Sequence, residues 1–218
     1  MAGRLNNGFM ASRSEPRDSL DDFPTPPWAG RALMEHVFRQ CYIGNRGAFA
    51  RMSLWEPAVN RGFLLRGLSS YFGQLRGTDV FDYGIGAETL NYLDAPVDKG
   101  FDFIITNPPF NLAHAFISKA MTEARVGCAF LVRTSFLEGV TRYQSLWSRT
   151  PPSFVAPFAE RVPMVKGRCD PEATTQASYC WVGWVKGWEP RRIMWIPPCR
   201  PQLERLGDYD TNWSITHA

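Results

Sequence analysis

The sequence lacks the features that define several large classes of protein. None of its apolar runs is long enough to cross a bilayer, and its polar N-terminus shows no secretory signal. Its five cysteines are scattered, odd in number and without a Cys-x-x-Cys pair, which argues against a zinc site or a disulfide framework. The three histidines share no spacing with carboxylates, so we expect them in packing or at the surface. We therefore predict a cytoplasmic protein with no membrane partner and no metal.

The sequence also lacks a strong charge of either sign and any internal repeat. Its 218 residues carry a net charge of +3, with 44% hydrophobic and 21% charged residues, which is ordinary for a soluble globular protein. This length suffices for one α/β domain with a substantial core. The small positive balance is compatible with a nucleic-acid partner without demonstrating one. The sequence carries no signal for an oligomeric state.

Short apolar runs alternate with amphipathic segments along most of the chain. The apolar runs predict strands at 51–55, before Asp79, and at 103–106, 127–133, 153–159 and 179–185, with a shorter element at 88–93. The amphipathic spacing predicts helices at 29–40, 63–72, 112–124 and 138–147. This alternation predicts an α/β fold whose mostly parallel sheet has helices on both faces. The predicted organisation is a flexible tail, a domain and an extension packed on or trailing from it, over residues 1–22, 23–190 and 191–218.

The tetrapeptide Asn107-Pro108-Pro109-Phe110 directly follows the predicted strand 103–106. Open α/β sheets bind ligands at the carboxyl ends of their strands. The tetrapeptide resembles the signature of amino-methyltransferases, which implies an exocyclic amino group as the target. Such a group is a poor nucleophile, and acceptors aimed at its N–H bonds favour the pyramidal form that develops during attack. The Asn107 side-chain oxygen and the Pro108 carbonyl are candidate acceptors on a turn that the prolines stiffen. Phe110 offers a flat surface on which a base can stack.

Four short motifs occur in an order that resembles the γ-type order of amino-methyltransferases, namely Thr25-Pro26-Pro27-Trp28, Glu56-Pro57-Ala58, Asp79 and Asn107-Pro108-Pro109-Phe110. In particular, residues 23–190 resemble the small single-domain DNA adenine methyltransferases of phages and related mobile elements. This resemblance implies a Rossmann-like class I methyltransferase fold with a seven-stranded sheet. It also implies S-adenosylmethionine as the cofactor and transfer of a methyl group to adenine N6 in DNA. Asn107 is then expected to border both the target and the cofactor.

The same resemblance assigns cofactor contacts to the turns after the first two strands. The turn from Glu56 to Gly62 is expected to approach the methionine end of the cofactor, although an ordinary strand-to-helix turn is the alternative. Related enzymes usually carry two glycines there, whereas this chain has Asn60 followed by Gly62. Asparagine is the residue other than glycine that best adopts a left-handed conformation. Asp79 is expected to accept both ribose hydroxyls, with Asp82 as the alternative.

Two further matches concern the adenine and methionine parts of the cofactor. Asn91 stands where the family usually has an aspartate that accepts from the adenine amino group, and Asp94 is the competing candidate. Tyr92 is expected to pack on the adenine ring. Thr25 and Trp28 match the motif that closes over the methionine part, while a proline-rich turn that fixes the first helix is the alternative.

Candidate target contacts lie later in the chain. Arg133 and Ser135 follow a predicted strand, and Arg161, Lys166 and Arg168 resemble the late family segment that borders the target pocket. These cations are expected to hold phosphates, with a solvated charged loop as the alternative. Because only about 30 residues follow the last predicted core strand, we expect weak sequence specificity or specificity read through short loops.

Two rival functions stay open at this stage. Enzymes with a related sheet and the same type of tetrapeptide methylate exocyclic amines in RNA or glutamine amides in proteins. The glutamine enzymes usually have Tyr at the fourth position of the tetrapeptide. The chain is alternatively a non-catalytic methyltransferase-like subunit that binds nucleic acid, which the departures at Asn60 and Asn91 support.

Overall fold

The computed structural model describes residues 21–41, 47–189 and 192–215. Most of the predicted tail, residues 1–20, lies outside this part of the chain. Within it, no helix is long and apolar enough to cross a membrane.

The predicted helices form, with shorter bounds in three cases. The helices of the described residues are α1 (Pro27–Leu33), α2 (Arg39–Cys41), α3 (Phe63–Leu68), α4 (Ala113–Glu123), α5 (Val140–Arg142) and α6 (Arg200–Leu203). The short α6 has no counterpart among the predicted helices. A π-helical segment, Met34–Phe38, joins α1 to α2, so the predicted helix at 29–40 is one continuous rod. A second π-helical segment, Tyr143–Trp147, extends α5. The helix predicted at 63–72 ends early, and its last residues form a turn closed by the Tyr71 N–H on the Leu68 carbonyl.

The strands form a single twisted sheet. They are β1 (Ser53–Glu56), β2 (Gln74–Asp79), β3 (Glu88–Thr89), β4 (Phe103–Thr106), β5 (Gly127–Arg133), β6 (Phe154–Pro157), β7 (Tyr179–Val185) and β8 (Arg192–Ile193). Among the described residues their order is β3-β2-β1-β4-β5-β7-β6-β8, and only β7 runs antiparallel to its neighbours. The predicted mostly parallel seven-stranded sheet is confirmed. The two-residue β8 adds an edge strand from within the predicted extension.

Hydrophobic side chains cover the sheet on both faces. One cluster joins α1 to the sheet through fully buried Trp28, Leu33 and Phe38. The other joins α4 to the sheet through residues that include Trp55 and Phe116. Every residue of β1 and β4 is buried, as expected for central strands of a parallel sheet covered on both faces.

The described part of the predicted extension packs on the domain. Asp208 forms a buried two-point ion pair with Arg31 of α1, with N–O distances of 2.6 and 2.7 Å. The Ile215 N–H donates to the carbonyl of Ile85. Loss of either member of a buried ion pair leaves the other charge buried without a partner, which is strongly destabilising. This contact therefore stabilises the packing of the segment against α1.

The parallel strands set the location of a site. The carboxyl ends of β1, β2, β4 and β5 lie along one rim of the sheet because these strands run in the same direction. Glu56, Asp79 and Arg133 end three of them, and Asn107 follows the fourth. The topology thus brings together residues that are up to 77 positions apart in the chain (133 − 56).

Candidate active site

A cleft opens at the rim where β1, β2 and β4 end. Its volume is about 730 Å³ with the open mouth included. Predicted site residues that line it are Thr25, Glu56, Pro57, Ala58, Asn60, Asp79, Asn91, Asn107 and Pro109. The N-terminal motif, the turn after β1 and the tetrapeptide after β4 therefore meet in one cavity.

Glu56 ends β1 at the floor of the cleft. Its side chain is buried, and its Oε2 has no hydrogen-bond partner. Burial raises the pKa of this carboxyl well above the ordinary range, and the nearby Asp79 raises it further. An orphaned buried acceptor at a cleft wall is costly to the free protein and is suited to a ligand that brings a donor or a positive charge.

Asp79 ends β2 beside the turn that follows β1. Its Oδ2 accepts from the Asn60 N–H at 2.8 Å and its Oδ1 from the Phe81 N–H at 3.2 Å. Burial raises its pKa, against the effect of these backbone donors. Asp82, the alternative candidate, is exposed, does not line the cleft and accepts from the Gly84 N–H at 2.8 Å. The position of Asp79 is the one that fits a ligand in the cleft.

The turn after β1 has the backbone that the sequence predicts. Asn60 has φ of 51° and is the only described non-glycine residue with positive φ, which confirms its left-handed conformation. Its Oδ1 accepts from the Arg61 N–H at 2.6 Å. Gly62, with φ of 78°, precedes α3 and borders a neighbouring recess instead of the cleft. A Cβ on Gly62 would lie 2.5 Å from the Trp213 ring. Glycine is therefore required here both by the positive φ and by the lack of space for a side chain.

The Asn107 side chain has a fixed direction. Its Nδ2 donates to the Phe23 carbonyl at 3.1 Å, and its Oδ1 is buried without a partner. The Pro109 carbonyl accepts from the Leu112 N–H at 2.9 Å. The Pro108 carbonyl, by contrast, receives no hydrogen bond from any residue of the described ranges. Two acceptors of the tetrapeptide are therefore left without donors.

Phe110 is less open than the sequence suggested. Its N–H donates to the Asp21 carboxylate at 2.6 Å, and its ring lies 5.3 Å from the Phe23 ring at a 42° tilt. The Arg133 guanidinium lies over the Phe110 ring, 4.1 Å from its centroid. A base that stacks on this face must displace Arg133.

Three predicted cofactor residues differ in their placement. Thr25 lines the cleft with a buried Oγ1 that has no partner. Trp28 is wholly buried in the core, where it packs edge-on against Phe158, and it does not line the cleft. Tyr92 is also in the core, with its Oη donating to Glu123 at 2.6 Å. Neither aromatic ring is placed to cover a ligand in the cleft.

Asn91 lines the cleft as an exposed residue. Its Nδ2 donates to the carboxylate of Asp94 at 2.6 Å, and its Oδ1 accepts from the Leu93 N–H at 3.2 Å. Asp94 is thus a partner of Asn91 and lies outside the cleft lining. The pair forms a local turn at the edge of the cavity.

None of the predicted target residues from Arg133 onward lines the cleft. Arg133 and Ser135 are exposed on the rim after β5. In the loop 160–177, Arg161 donates to the Gln176 carbonyl at 3.0 Å and to the Ser178 hydroxyl at 2.5 Å. Arg168 pairs with Asp170 at 3.1 Å, and Lys166 is exposed.

The structure adds site residues that the sequence analysis did not identify. Asp21, Phe23, Arg61 and Tyr83 line the cleft, and Asp22 is buried beside it. Asp21 and Asp22 were predicted to end the flexible tail because acidic and basic residues alternate there. Their position directly before the proline-rich motif is the one sequence signal of their role.

The polar lining indicates which ligand the cleft accepts. In the described ranges, no group of three or more His, Cys, Asp or Glu residues is placed to hold a metal. The unpartnered buried acceptors on Thr25, Glu56 and Asn107 instead suit a ligand rich in donors. Glu56 and Asp79 also line this cleft, and a positively charged ligand would favour their ionised forms.

Proteins of known structure share the fold of this chain. No protein-family model matches this sequence, and no curated protein matches it. A modification subunit of a putative type I restriction enzyme from Vibrio vulnificus YJ016 is similar in structure, with a TM-score of 0.52, 13% identity and coverage of 81% of this chain and 47% of that chain. A putative RNA methyltransferase from Pyrococcus horikoshii has a TM-score of 0.52 and 13% identity over 79% of this chain and 91% of that chain.

The DrdV–DNA complex is also similar, with a TM-score of 0.53 and 9% identity over 80% of this chain and 27% of that chain. This chain therefore spans less than half of the Vibrio subunit and of the DrdV chain. At these identities the likeness concerns architecture. The chain has the Rossmann-like class I methyltransferase fold that the motif order predicts.

Proposed function

We propose that this protein transfers a methyl group from S-adenosylmethionine to N6 of adenine in DNA. The observation that carries the proposal is the Asn107 amide, whose Nδ2 is held by the Phe23 carbonyl while Oδ1 is buried and unpartnered. This hydrogen bond fixes the amide so that it presents an acceptor. An exocyclic amino group supplies the matching donor.

The tetrapeptide would act by electrostatic stabilisation. The Asn107 Oδ1 and the Pro108 carbonyl accept the two N–H bonds of the target amine, which favours a localised lone pair on nitrogen during attack. Removal of one such preorganised group typically lowers the rate by about 10²–10³. The adjacent Phe110 ring provides a stacking surface once Arg133 moves from its face, where phosphate contact offers the guanidinium a stronger partner.

Cofactor binding falls to the other half of the cleft. S-adenosylmethionine supplies a methyl group on a cationic sulfur. Asp79 is the group we assign to the ribose hydroxyls, and Thr25 and Glu56 lie on the wall that would accept donors from the methionine part. The buried acceptors of Thr25 and Glu56 support this assignment because nothing else in the described protein satisfies them.

The proton released by the reaction does not demand a strong base. Nitrogen becomes acidic only after it has gained the methyl group, so water is a sufficient acceptor.

The decisive experiment is mass spectrometry of nucleosides from DNA and RNA, and of amino acids from peptides, each incubated with the protein and isotopically labelled cofactor. We expect labelled N6-methyl-2′-deoxyadenosine from the DNA arm. Labelled product only from RNA or peptide would change the assigned substrate, and no labelled product in any arm would contradict methyl transfer.

Asn107→Ala tests the proposed chemistry. We expect it to abolish transfer while cofactor affinity, measured by calorimetry, stays nearly unchanged. Asn111→Ala is a matched control, since Asn111 is exposed and does not line the cleft. Activity of the Asn107 variant close to that of the control would count against the proposal.

A further inference from the structure

Asp22 connects parts of the rim that are distant in sequence. It is buried, and its Oδ1 accepts from the Asn60 Nδ2 at 2.9 Å. Its Oδ2 accepts from the Arg61 Nη2 at 2.8 Å. Its backbone carbonyl accepts from the Gly167 N–H at 2.8 Å. One residue thereby touches both the turn after β1 and the loop 160–177.

The first of these contacts reaches the cofactor half of the site. Asn60 and Arg61 form the left-handed turn after β1, and the Asn60 N–H donates to Asp79 at 2.8 Å. Asp22 is therefore two hydrogen bonds away from the carboxylate that we assign to the ribose. The Arg61 guanidinium also lies over the Tyr83 ring, 5.3 Å from its centroid, which limits its freedom.

The second contact reaches the target half. Gly167, with φ of 81°, stands between Lys166 and Arg168, two of the cations that we expect to hold phosphates. The next residue after Asp22 completes the link, because the Phe23 carbonyl orients the Asn107 amide and its ring contacts Phe110. A shift of Asp22 would therefore alter the positions of the tetrapeptide 107–110 and of the loop 160–177.

We propose that Asp22 is a positioning residue that couples cofactor binding to nucleic-acid binding. The proposal rests on the proposed function. A ligand that orders the Asn60–Arg61 turn stabilises the arrangement in which Asp22 is held, and Asp22 in turn holds the loop backbone at Gly167. Such coupling is reciprocal, since each ligand strengthens the binding of the other by the same factor.

The test measures this factor directly. A fluorescent adenine-containing DNA duplex is titrated by anisotropy at one fixed salt concentration, without and with saturating S-adenosylhomocysteine. For the unmodified protein we expect the analogue to tighten DNA binding at least about fivefold, the lower end of usual coupling factors. For Asp22→Asn, which keeps the shape and removes the charge, we expect a factor below about twofold relative to the DNA affinity of the same variant without the analogue.

Two further variants separate positioning from folding. Asn60→Gly removes the amide contact to Asp22 and the acceptor of the Arg61 N–H, and glycine suits the positive φ, so we expect an intermediate factor in a protein that folds normally. Asp82→Asn removes an exposed carboxylate outside the cleft and should leave the factor at its unmodified value. If Asp22→Asn fails to fold, Asn60→Gly still decides the question.

The outcomes distinguish the two proposals. Absence of analogue binding to the unmodified protein would overturn the proposed function together with the coupling. Analogue and DNA binding with a factor near one would overturn the coupling alone. The coupling would also be overturned if Asp22→Asn kept the coupling factor of the unmodified protein. If Asp22→Asn does not fold, the same result for Asn60→Gly would overturn the coupling. In either case the proposed methyl transfer would stand.

Discussion

The two halves of the rim differ in how completely the protein arranges them before a ligand arrives. On the half that we assign to the cofactor, Glu56, Asp79 and Asn60 are held by short strands, a left-handed turn and backbone hydrogen bonds. On the half that we assign to the target, Arg133, Lys166 and Arg168 are exposed and lie outside the cleft. The difference suits a small ligand of fixed shape on one side and a large, charged and variable one on the other.

This contrast has an energetic counterpart. The cofactor half leaves buried acceptors unpartnered and keeps carboxyls where burial raises their pKa, so its arrangement costs stability in the free protein. The target half satisfies its cations locally, as Arg168 does with Asp170. Exposed ion pairs of this kind contribute little to stability and are readily exchanged for phosphate contacts.

Replacement of Asp79 should have the largest effect on cofactor affinity. A small effect would contradict the contrast between a preformed cofactor half and an open target half. Asp79→Ala removes the charged acceptor assigned to the ribose and frees the Asn60 and Phe81 N–H groups. We expect cofactor affinity by calorimetry to fall about 10- to 100-fold, the range for hydrogen bonds to a charged group. Asp82→Ala is the matched control, and equal losses in both variants would refute the assignment.

Replacement of Glu56 should reveal the cost of the buried carboxyl. Because its folded-state pKa is raised, the native protein holds a proton that the unfolded chain releases as pH rises above the ordinary value of 4.5, so stability falls with rising pH. Gln does not titrate, so the advantage of Glu56→Gln should grow from pH 5 to pH 8. We expect on the order of 1 kcal/mol in denaturant unfolding, together with weaker cofactor binding. A stability difference independent of pH would contradict the raised pKa.

On the target half, each loop cation should add its own contribution to DNA affinity, and that contribution should weaken as the salt concentration rises. The double variant Lys166→Ala and Arg168→Ala should lower the slope of log DNA affinity against log salt by up to about 2, with no change in cofactor affinity. Anisotropy titrations at several salt concentrations measure this slope. An unchanged slope would show that these side chains belong to a solvated loop.

The smallest effect is expected for Asn60→Gly in the absence of nucleic acid. Glycine adopts the observed φ of 51° without strain, and the Asp79 contact uses the backbone N–H. Cofactor affinity by calorimetry should stay within about twofold, because the asparagine side chain is not part of that contact. Asn60→Val, which disfavours positive φ, should bind the cofactor clearly more weakly.

Local pattern was enough to predict most of the scaffold. The runs at 103–106, 127–133 and 179–185 are confirmed as β4, β5 and β7 with those bounds, because continuous apolar segments of this length are buried strands. The direction of β7 was not predictable from its composition, since an apolar run carries no mark of which way it crosses the sheet. The edge strand β8 is two residues long and offers no periodicity to detect.

The aromatic residues show where local reasoning fails. Trp28, Tyr92 and Phe110 each stand in or beside a motif, and a flat ring suits both a ligand and a core. Trp28 and Tyr92 are buried in the two clusters, whereas Phe110 lies at the rim beneath Arg133. Which role a ring takes depends on residues far along the chain that pack against it.

The sequence by itself determined the motif order, the alternation of strands and helices and the residue types at the strand ends, because each is a local property of a short segment. The tertiary structure alone decided that Asp22 and Phe23 complete the site, that Asp79 rather than Asp82 faces the cleft, and that the Asn107 oxygen is left without a donor. Those features are hydrogen bonds between segments separated by up to 84 residues. Only the folded sheet, by placing its strand ends side by side, brings such partners within bonding distance.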